Sequence, residues 1–128
     1  MKNNVKNETF GDFFKSKRIS LGLSLRSFCE KNHFDPGNIS RMERGLLSPT
    51  VEEKKLIVYA EALKISEKSS EWAKFFDLAN IAKGTIPSDI RKDLNLMSIM
   101  PAFYRTVRGE KFDKDKLEKL FELLNTKK

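Results

Sequence analysis

The chain has 128 residues, 39% of them hydrophobic, which suffices for one domain of ordinary size or for a small domain with an appended element. Its single cysteine excludes an internal disulfide, and one Cys with one His cannot complete a four-ligand zinc site from those residue types. The net charge of +7 favours a polyanionic partner such as nucleic acid, and the excess of Lys and Arg lies in residues 1–50 and 81–128.

No apolar run approaches the ~18 residues that a membrane-spanning helix needs, and the opening residues are polar, without the apolar region of a signal peptide. With a single cysteine, this composition fits an intracellular, reducing compartment. The sequence therefore predicts a soluble cytoplasmic protein with no membrane partner.

The first part of the chain is predicted to contain short helices joined by tight turns. Residues 1–8 are polar and are expected to form a flexible arm, after which Thr9 caps a first helix. Ser24 is expected to begin a second helix. In the short gap after it, Asn32 or His33 is expected to adopt a positive φ angle, which both residue types tolerate better than branched ones.

A third helix is predicted between matching start and stop signals. Asp35 can cap it through its carboxylate, Pro36 suits the first helical position, and Gly45 can take the left-handed conformation that ends a helix. Its apolar positions are only Ile39 and Met42, so one narrow stripe is buried and a polar, cationic face remains exposed. We expect function on that face.

Further helices are predicted along the rest of the chain. Thr50 and Glu53 have the spacing of a capping box for a fourth helix, and a fifth helix is expected to end before Gly84. Pro87 and Pro101 bracket a segment of mixed periodicity that we also interpret as helical.

The last helix is predicted from a stripe of apolar residues at helical spacing, opposite a face of Lys and Glu. The stripe consists of Leu117, Leu120, Phe121 and Leu124. No segment of useful length alternates polar and apolar residues as a half-buried strand would. The expected fold class is therefore all-α.

The sequence F-G-D-F-F-K-S-K-R-I-S-L-G-L-S-L-R-S-F-C-E-K, followed by I-S-R-M-E-R-G and then S-P-T-V, resembles the helix-turn-helix family of phage repressors and xenobiotic-response-element type transcriptional regulators. The resemblance covers a little under half of the chain. It implies a flexible arm at 1–8, a five-helix DNA-binding domain at 9–66, and a helical dimerisation or partner-binding region at 67–128.

The resemblance also implies that residues 36–44 form a recognition helix in the major groove of double-stranded DNA. By position, its base-facing residues are Pro36, Gly37, Asn38 and Arg41. Chemistry agrees for two of them, because an Arg fork can pair with guanine O6 and N7 and an Asn amide can pair with adenine. Pro36 and Gly37 offer no side-chain hydrogen bonds, so part of the specificity is expected from DNA shape or from elsewhere on the protein.

Phosphate contacts are expected to position the protein on DNA and to supply much of the affinity. The candidates are Ser24, Arg26, Asn38, Ser40 and Arg44, together with backbone amides at the two helix N-termini. Where many members of the family have Gln at the start of the second helix, this chain has Leu25, and Arg26 is a substitute. The alternative reading makes Ser24 a helix cap, Asn38 a partner of the Asp35 cap, and the two arginines solvated charges.

Three further residues are interpreted as structural. Arg18 and Glu43 match positions that the family pairs in a partly buried ion bridge between the first and third helices. Cys29 occupies a small apolar position and is expected to be inert packing. His33, the only histidine, is read as a turn residue.

The sequence offers no catalytic constellation. Catalysis would need a convergent set, such as a nucleophile with a base or paired carboxylates in a cleft. The acidic residues are instead scattered among lysines on predicted helix surfaces, and no Gly-rich phosphate loop is present. We expect no enzymatic activity, no cofactor and no metal site.

Two hypotheses for function remain. In the first, the protein is a repressor that binds a palindromic operator as a homodimer, because one short recognition helix reads too few base pairs. In the second, the C-terminal half binds a partner protein such as a toxin, and DNA binding serves autoregulation. In support, the stretch P-A-F-Y-R-T-V-R-G is similar to segments of regulators of this type that are encoded beside toxins. Either interface would use an apolar surface that could instead pack within the chain: Phe103, Val107, Leu117, Leu120, Phe121 and Leu124.

Overall fold

The computed structural model describes residues 8–109 together with 115, 118 and 122. In this part of the chain the regular structure is entirely α-helical. The helices are α1 (Phe10–Ser20), α2 (Leu25–Asn32), α3 (Pro36–Glu43), α4 (Glu53–Ala62), α5 (Ser70–Lys83), α6 (Ser88–Arg91) and α7 (Leu94–Val107). They belong to two compact units, Met1–Thr85 and Ile86–Lys128. The predicted all-α fold class is confirmed.

None of the helices in this described part of the chain combines the length and the apolar character that crossing a membrane requires.

The first three helices begin at the predicted capping residues. The Thr9 hydroxyl accepts from the Asp12 backbone N–H at 3.0 Å, while the Asp12 carboxylate accepts from the Thr9 backbone N–H at 3.3 Å, which completes a capping box. Ser24 caps α2 and Asp35 caps α3 through their side-chain oxygens. Of the two candidates for a positive φ angle, His33 adopts it, at 60°.

The core of the first unit is built around aromatic rings. Phe14 is fully buried, and its ring centroid lies 5.8 Å from those of both Phe28 on α2 and Tyr59 on α4. Both pairs are edge-to-face, the arrangement that the ring quadrupole favours. Burying each such side chain stabilises the fold by about 1.5–3 kcal/mol. The remaining core residues are Phe10, Phe13, Cys29, Ile39, Met42, Leu56, Ala60, Leu63, Ile65, Phe75 and Ala79.

Helix α5 belongs to this same core. Phe75 and Ala79 are fully buried, and the Phe75 ring centroid lies 5.0 Å from that of Phe10 and 6.3 Å from that of Phe13. The compact unit therefore extends to Thr85. From the sequence, these residues are predicted to belong to the region beginning at 67, because the motif that carries the resemblance ends before α5.

Two predicted helix boundaries differ from the structure. Helix α4 begins at Glu53 without a side-chain cap, because the Thr50 hydroxyl instead accepts from the backbone N–H of Glu52, two residues on, at 3.0 Å. The Thr50–Glu53 capping box was therefore a wrong prediction. Pro101 does not end a helix but lies inside α7. A helix can continue through a proline when it gives up one backbone hydrogen bond and accommodates the ring.

The second unit contains α6 and α7, which pack against each other. The Asp93 side chain caps α7 by accepting from the Leu96 backbone N–H at 3.0 Å. Leu96 and Ile99 are buried. Beyond α7, the described residues 115, 118 and 122 are helical and exposed.

Gly11 permits a close approach between α1 and the end of α3. A Cβ atom at this position would lie 2.5 Å from the Glu43 carbonyl oxygen and would also collide with the Met42 carbonyl oxygen. Both atoms belong to the backbone, so a side-chain rotation cannot relieve the clash. The contact of these two helices therefore requires glycine here.

We predict that Gly11→Ala destabilises the protein by about 1–3 kcal/mol, the usual cost of overpacking a close contact. The sign is diagnostic, because Gly→Ala in an open helix position stabilises by up to about 1 kcal/mol. Urea unfolding followed by circular dichroism measures the change. Ser16→Ala, at an exposed position of the same helix, is the control and should change stability little. A stabilised Gly11→Ala variant would contradict the close approach.

Candidate functional site

Helix α3 turns one narrow apolar stripe inward, buries Glu43 at its C-terminal end, and exposes Pro36, Gly37, Asn38 and Arg41 to solvent. Ile39 and Met42 are 1% and 4% exposed and form the stripe. The four residues that the sequence analysis placed against DNA bases are all exposed: Pro36, Gly37, Asn38 and Arg41. Gly37, Asn38 and Arg41 are neighbours around the helix, and with Pro36 at its start they form the surface that we call the polar tip.

The tip is organised by two local interactions. The Asp35 carboxylate accepts from the backbone N–H of Asn38 at 2.9 Å and so caps the helix. The Arg41 side chain folds back towards the N-terminus, where its Nη2 donates to Asn38 Oδ1 at 2.5 Å. A Cβ atom on Gly37 would lie 3.3 Å from Asp35 Oδ2 and 3.5 Å from Arg41 Nη1. Both charged groups therefore lie beside the glycine.

The predicted phosphate-contacting residues fall into two groups. Ser24 accepts from the Ser27 backbone N–H at 3.1 Å, so its hydroxyl serves as the α2 cap that the alternative reading described. Arg26 is exposed and Ser40 half-buried, and Arg44 Nε points back to the Ser40 carbonyl oxygen at 3.4 Å. Arg26 and Arg44 thus supply exposed positive charge on α2 and at the end of α3.

Leu25, where many members of the resembled family have Gln, has a packing role. It is half-buried and lies against the core of the first unit. An apolar side chain at this position is therefore explained by packing, and the charge nearest to it in sequence is that of Arg26.

Arg18 and Glu43 form a buried ion pair between α1 and the end of α3. Arg18 Nε and Nη2 donate to the two carboxylate oxygens of Glu43 at 2.8 and 2.9 Å, and Nη1 donates to the Leu23 carbonyl oxygen at 3.0 Å. Arg18 is 7% exposed and Glu43 9%. The hydrogen bond to Glu43 raises the pKa of Arg18 above its ordinary value in spite of burial. The pair holds α3 against α1.

The connection between α2 and α3 is also anchored. The left-handed conformation of His33 turns the chain, and the Phe34 backbone N–H donates to the Cys29 carbonyl oxygen at 3.0 Å. The Phe34 ring then packs on Tyr59, with centroids 5.1 Å apart. The middle residue of the turn, Phe34, therefore attaches it to the core.

The single cysteine does not have the environment of a nucleophile. Cys29 is 1% exposed, and burial, followed by the negative charge of Glu43, raises the pKa of its thiol. The reactive thiolate is thus disfavoured. In the described ranges, His, Cys, Asp and Glu side chains form no group of three that could hold a metal ion.

Part of the predicted dimer or partner surface can be located. Phe103 and Val107 lie four residues apart on α7 and are 38% and 70% exposed, so one face of this helix carries uncovered apolar area. The other members of that surface lie outside the described residues: Leu117, Leu120, Phe121 and Leu124.

Two features were not anticipated from the sequence. One is the Asn38–Arg41 hydrogen bond, for which their spacing of three residues in a helix is a signal. The other is a groove of about 450 Å³ in the first unit, with apolar side chains of α1, α5 and the segment after α3 in its lining, such as Phe10, Ile81 and Leu47. Its lining comes from separate parts of the chain, so no local pattern predicts it.

Comparisons of the chain with protein-family models, with curated protein sequences and with solved structures found no match.

We predict that Glu43→Ala destabilises the protein by about 3–5 kcal/mol, because the Arg18 charge is left buried without its partner. The matched control is Glu71→Ala, which breaks the 2.7 Å ion pair between Glu71 on α5 and Lys17 on α1, the helix that also carries Arg18. The Glu71 side chain is 51% exposed. That variant should cost at most about 1 kcal/mol. Urea unfolding measures both.

The double variant Arg18→Met with Glu43→Leu should regain much of the loss, since neither charge is then left unpaired. Equal effects of Glu43→Ala and Glu71→Ala would show that the buried pair has no special role in stability.

Proposed function

We propose that the protein is a sequence-specific DNA-binding transcriptional regulator, a repressor of the phage-repressor and xenobiotic-response-element type, which acts in the cytoplasm. In this proposal α2, the turn at residues 33–35 and α3 are the helix-turn-helix of a five-helix DNA-binding domain. The observation that carries the proposal is the exposed polar tip of α3 with Asn38 and Arg41. The opposite side of this helix is held by buried Ile39 and Met42 and by the ion pair of Glu43.

The dimensions of α3 support this role. An α-helix with its side chains is about 10–12 Å across and fits the major groove of B-DNA, which is about 12 Å wide, and the eight residues of α3 give it a length of about 12 Å. Pro36 at the first helical position has no backbone N–H to leave unsatisfied. Arg26 and Arg44 add positive charge that can pair with phosphates on either side of the groove. The N-terminus of α3 contributes a partial positive charge to the same surface.

A second copy of the chain is part of the proposal. One recognition helix contacts only a few base pairs, and each mismatch typically costs about 1–3 kcal/mol, so a monomer discriminates poorly against the many competing sites. A two-fold dimer doubles the number of base pairs that are read. The exposed apolar residues Phe103 and Val107 on α7 are our candidates for the dimer contact.

The same surface favours the alternative function. Phe103 is 38% and Val107 70% exposed, and an uncovered apolar helix face also suits a partner protein such as a toxin. DNA binding would then serve autoregulation. A neighbouring gene product that co-purifies with the chain would favour this alternative, whereas a homodimer without a partner would favour the repressor.

The central test is selection of bound sequences from random double-stranded DNA with the full-length protein. We expect an enriched palindrome whose half-sites are separated by about one helical turn or a multiple of it. Failure to enrich any sequence would contradict the proposed function, and a single unrepeated site would contradict the dimer.

We predict that Arg44→Ala weakens binding to all DNA and makes the slope of log affinity against log salt shallower by roughly one unit, since one phosphate contact is lost. Fluorescence anisotropy at several salt concentrations measures this slope. Lys15→Ala removes one charge from an exposed position of α1 and is the control. An unchanged slope for Arg44→Ala would show that Arg44 contacts no phosphate and is only a charge on the surface.

We also predict that the fragment 1–85 folds but is monomeric, because it contains the whole aromatic core and lacks α7. Circular dichroism and analytical ultracentrifugation measure folding and mass. A dimeric fragment would place the interface in the first unit instead.

A further inference from the structure

Asn38 and Arg41 are joined in a way that limits what either side chain can read. Arginine carries only donors, so the atom of Asn38 that receives Nη2 at 2.5 Å must be the amide oxygen. The Asn38 side chain is therefore oriented with its NH₂ group away from that bond. An amide that reads adenine must accept from adenine N6 with this same oxygen.

We infer that Asn38 is a positioning residue that holds the Arg41 guanidinium, and that the two side chains read one acceptor-rich, guanine-containing base edge as a unit, instead of reading a guanine and an adenine separately. The inference rests on the proposed DNA-binding function and deepens it. It also replaces the expectation that Asn38 recognises adenine by itself.

The hydrogen-bond inventory carries the inference. Arg41 donates one of its two Nη2 hydrogens to Asn38. The other Nη2 hydrogen and both Nη1 hydrogens remain, which is enough for two parallel hydrogen bonds to guanine O6 and N7. The Asn38 NH₂ group adds two donors. Apart from the second lone pair of Asn38 Oδ1, the outward groups of the pair are thus donors, which match the two acceptors of guanine better than the donor and acceptor of adenine.

Gly37 borders this arrangement. A Cβ atom there would lie 3.5 Å from Arg41 Nη1, which is an ordinary contact, and 3.3 Å from the end of the Asp35 side chain, so the guanidinium lies close over the Gly37 backbone. The Asp35 carboxylate beside it adds an attractive charge. Fixing the long Arg side chain before binding reduces the conformational entropy that binding must otherwise cost.

The test compares base preferences of full-length variants on the sequences that the wild-type protein enriches. Arg41→Ala should lower the preference for guanine at one position roughly 5- to 150-fold. Asn38→Ala should lower the preference at that same position roughly 2- to 12-fold, as expected for loss of one hydrogen bond. The double variant should match Arg41→Ala within about twofold.

Asn38→Asp distinguishes positioning from reading. Aspartate keeps an oxygen that can hold Arg41 but loses the amide donors, so the guanine preference should be retained while overall affinity falls through repulsion from phosphates. An adenine reader would not be rescued by this change. Arg41→Lys, which keeps the charge without the fork, should lose the preference.

DNA with 7-deazaguanine at that position lacks the N7 acceptor and should weaken wild-type binding but not that of Arg41→Ala. Asn38 and Arg41 are exposed, and thermal melts by circular dichroism check that each variant is folded.

Opposite results overturn the inference. If Asn38→Ala changes the preference at a different, adenine-containing base pair, or if the two single effects add in the double variant, the residues read separately. Wild-type protein that enriches no sequence contradicts the proposed function together with the inference, so the two failures are distinguishable.

Discussion

The orientation of α3 depends on one buried guanidinium. Arg18 on α1 uses three donors to join Glu43 at the end of α3 and the Leu23 carbonyl before α2, so a single side chain links three parts of the first unit. A bidentate, charge-assisted pair of this kind fixes direction as well as distance. Its burial makes it intolerant of the loss of either partner. At the same end of α3, Gly11 lets the two backbones approach, and so the ion pair and the close contact reinforce one another.

This anchoring explains how a helix with so little buried surface is held. Ile39 and Met42 are its only apolar core residues, which would be a weak attachment without the ion pair and the Phe34 ring on Tyr59. The packing contacts described for α3 lie on its inward stripe, in the connecting turn and at its C-terminal end. The side chains of Asn38 and Arg41 at the polar tip therefore remain exposed. The stabilising contacts and the proposed recognition surface are thereby placed on different parts of one eight-residue helix.

The proposed recognition surface is narrow, and its chemistry is specific. Positive charge alone would draw the protein to any polyanion. What distinguishes α3 is an arginine whose side chain is held by a neighbouring amide and lies close to Gly37. In the second unit, α7 carries uncovered apolar residues, such as Val107, and these suit association with a protein, either a second copy or a partner. The two units therefore supply different kinds of surface to the proposed regulator.

The sequence by itself determined the starts of α1, α2 and α3, a turn with a positive φ angle at Asn32 or His33, and the all-helical class, because capping and helical periodicity depend on residues within a few positions of one another. Local signals can also compete with one another. The Thr50 hydroxyl accepts from the backbone N–H of Glu52, whereas the predicted capping box required that of Glu53. Tertiary structure alone decided that α5 completes the aromatic core and that Gly11 admits the α3 backbone, because both depend on residues far apart in sequence. The Asn38–Arg41 bond is local, and its spacing of three residues permits it, but the spacing does not say which of several allowed rotamers the two side chains adopt.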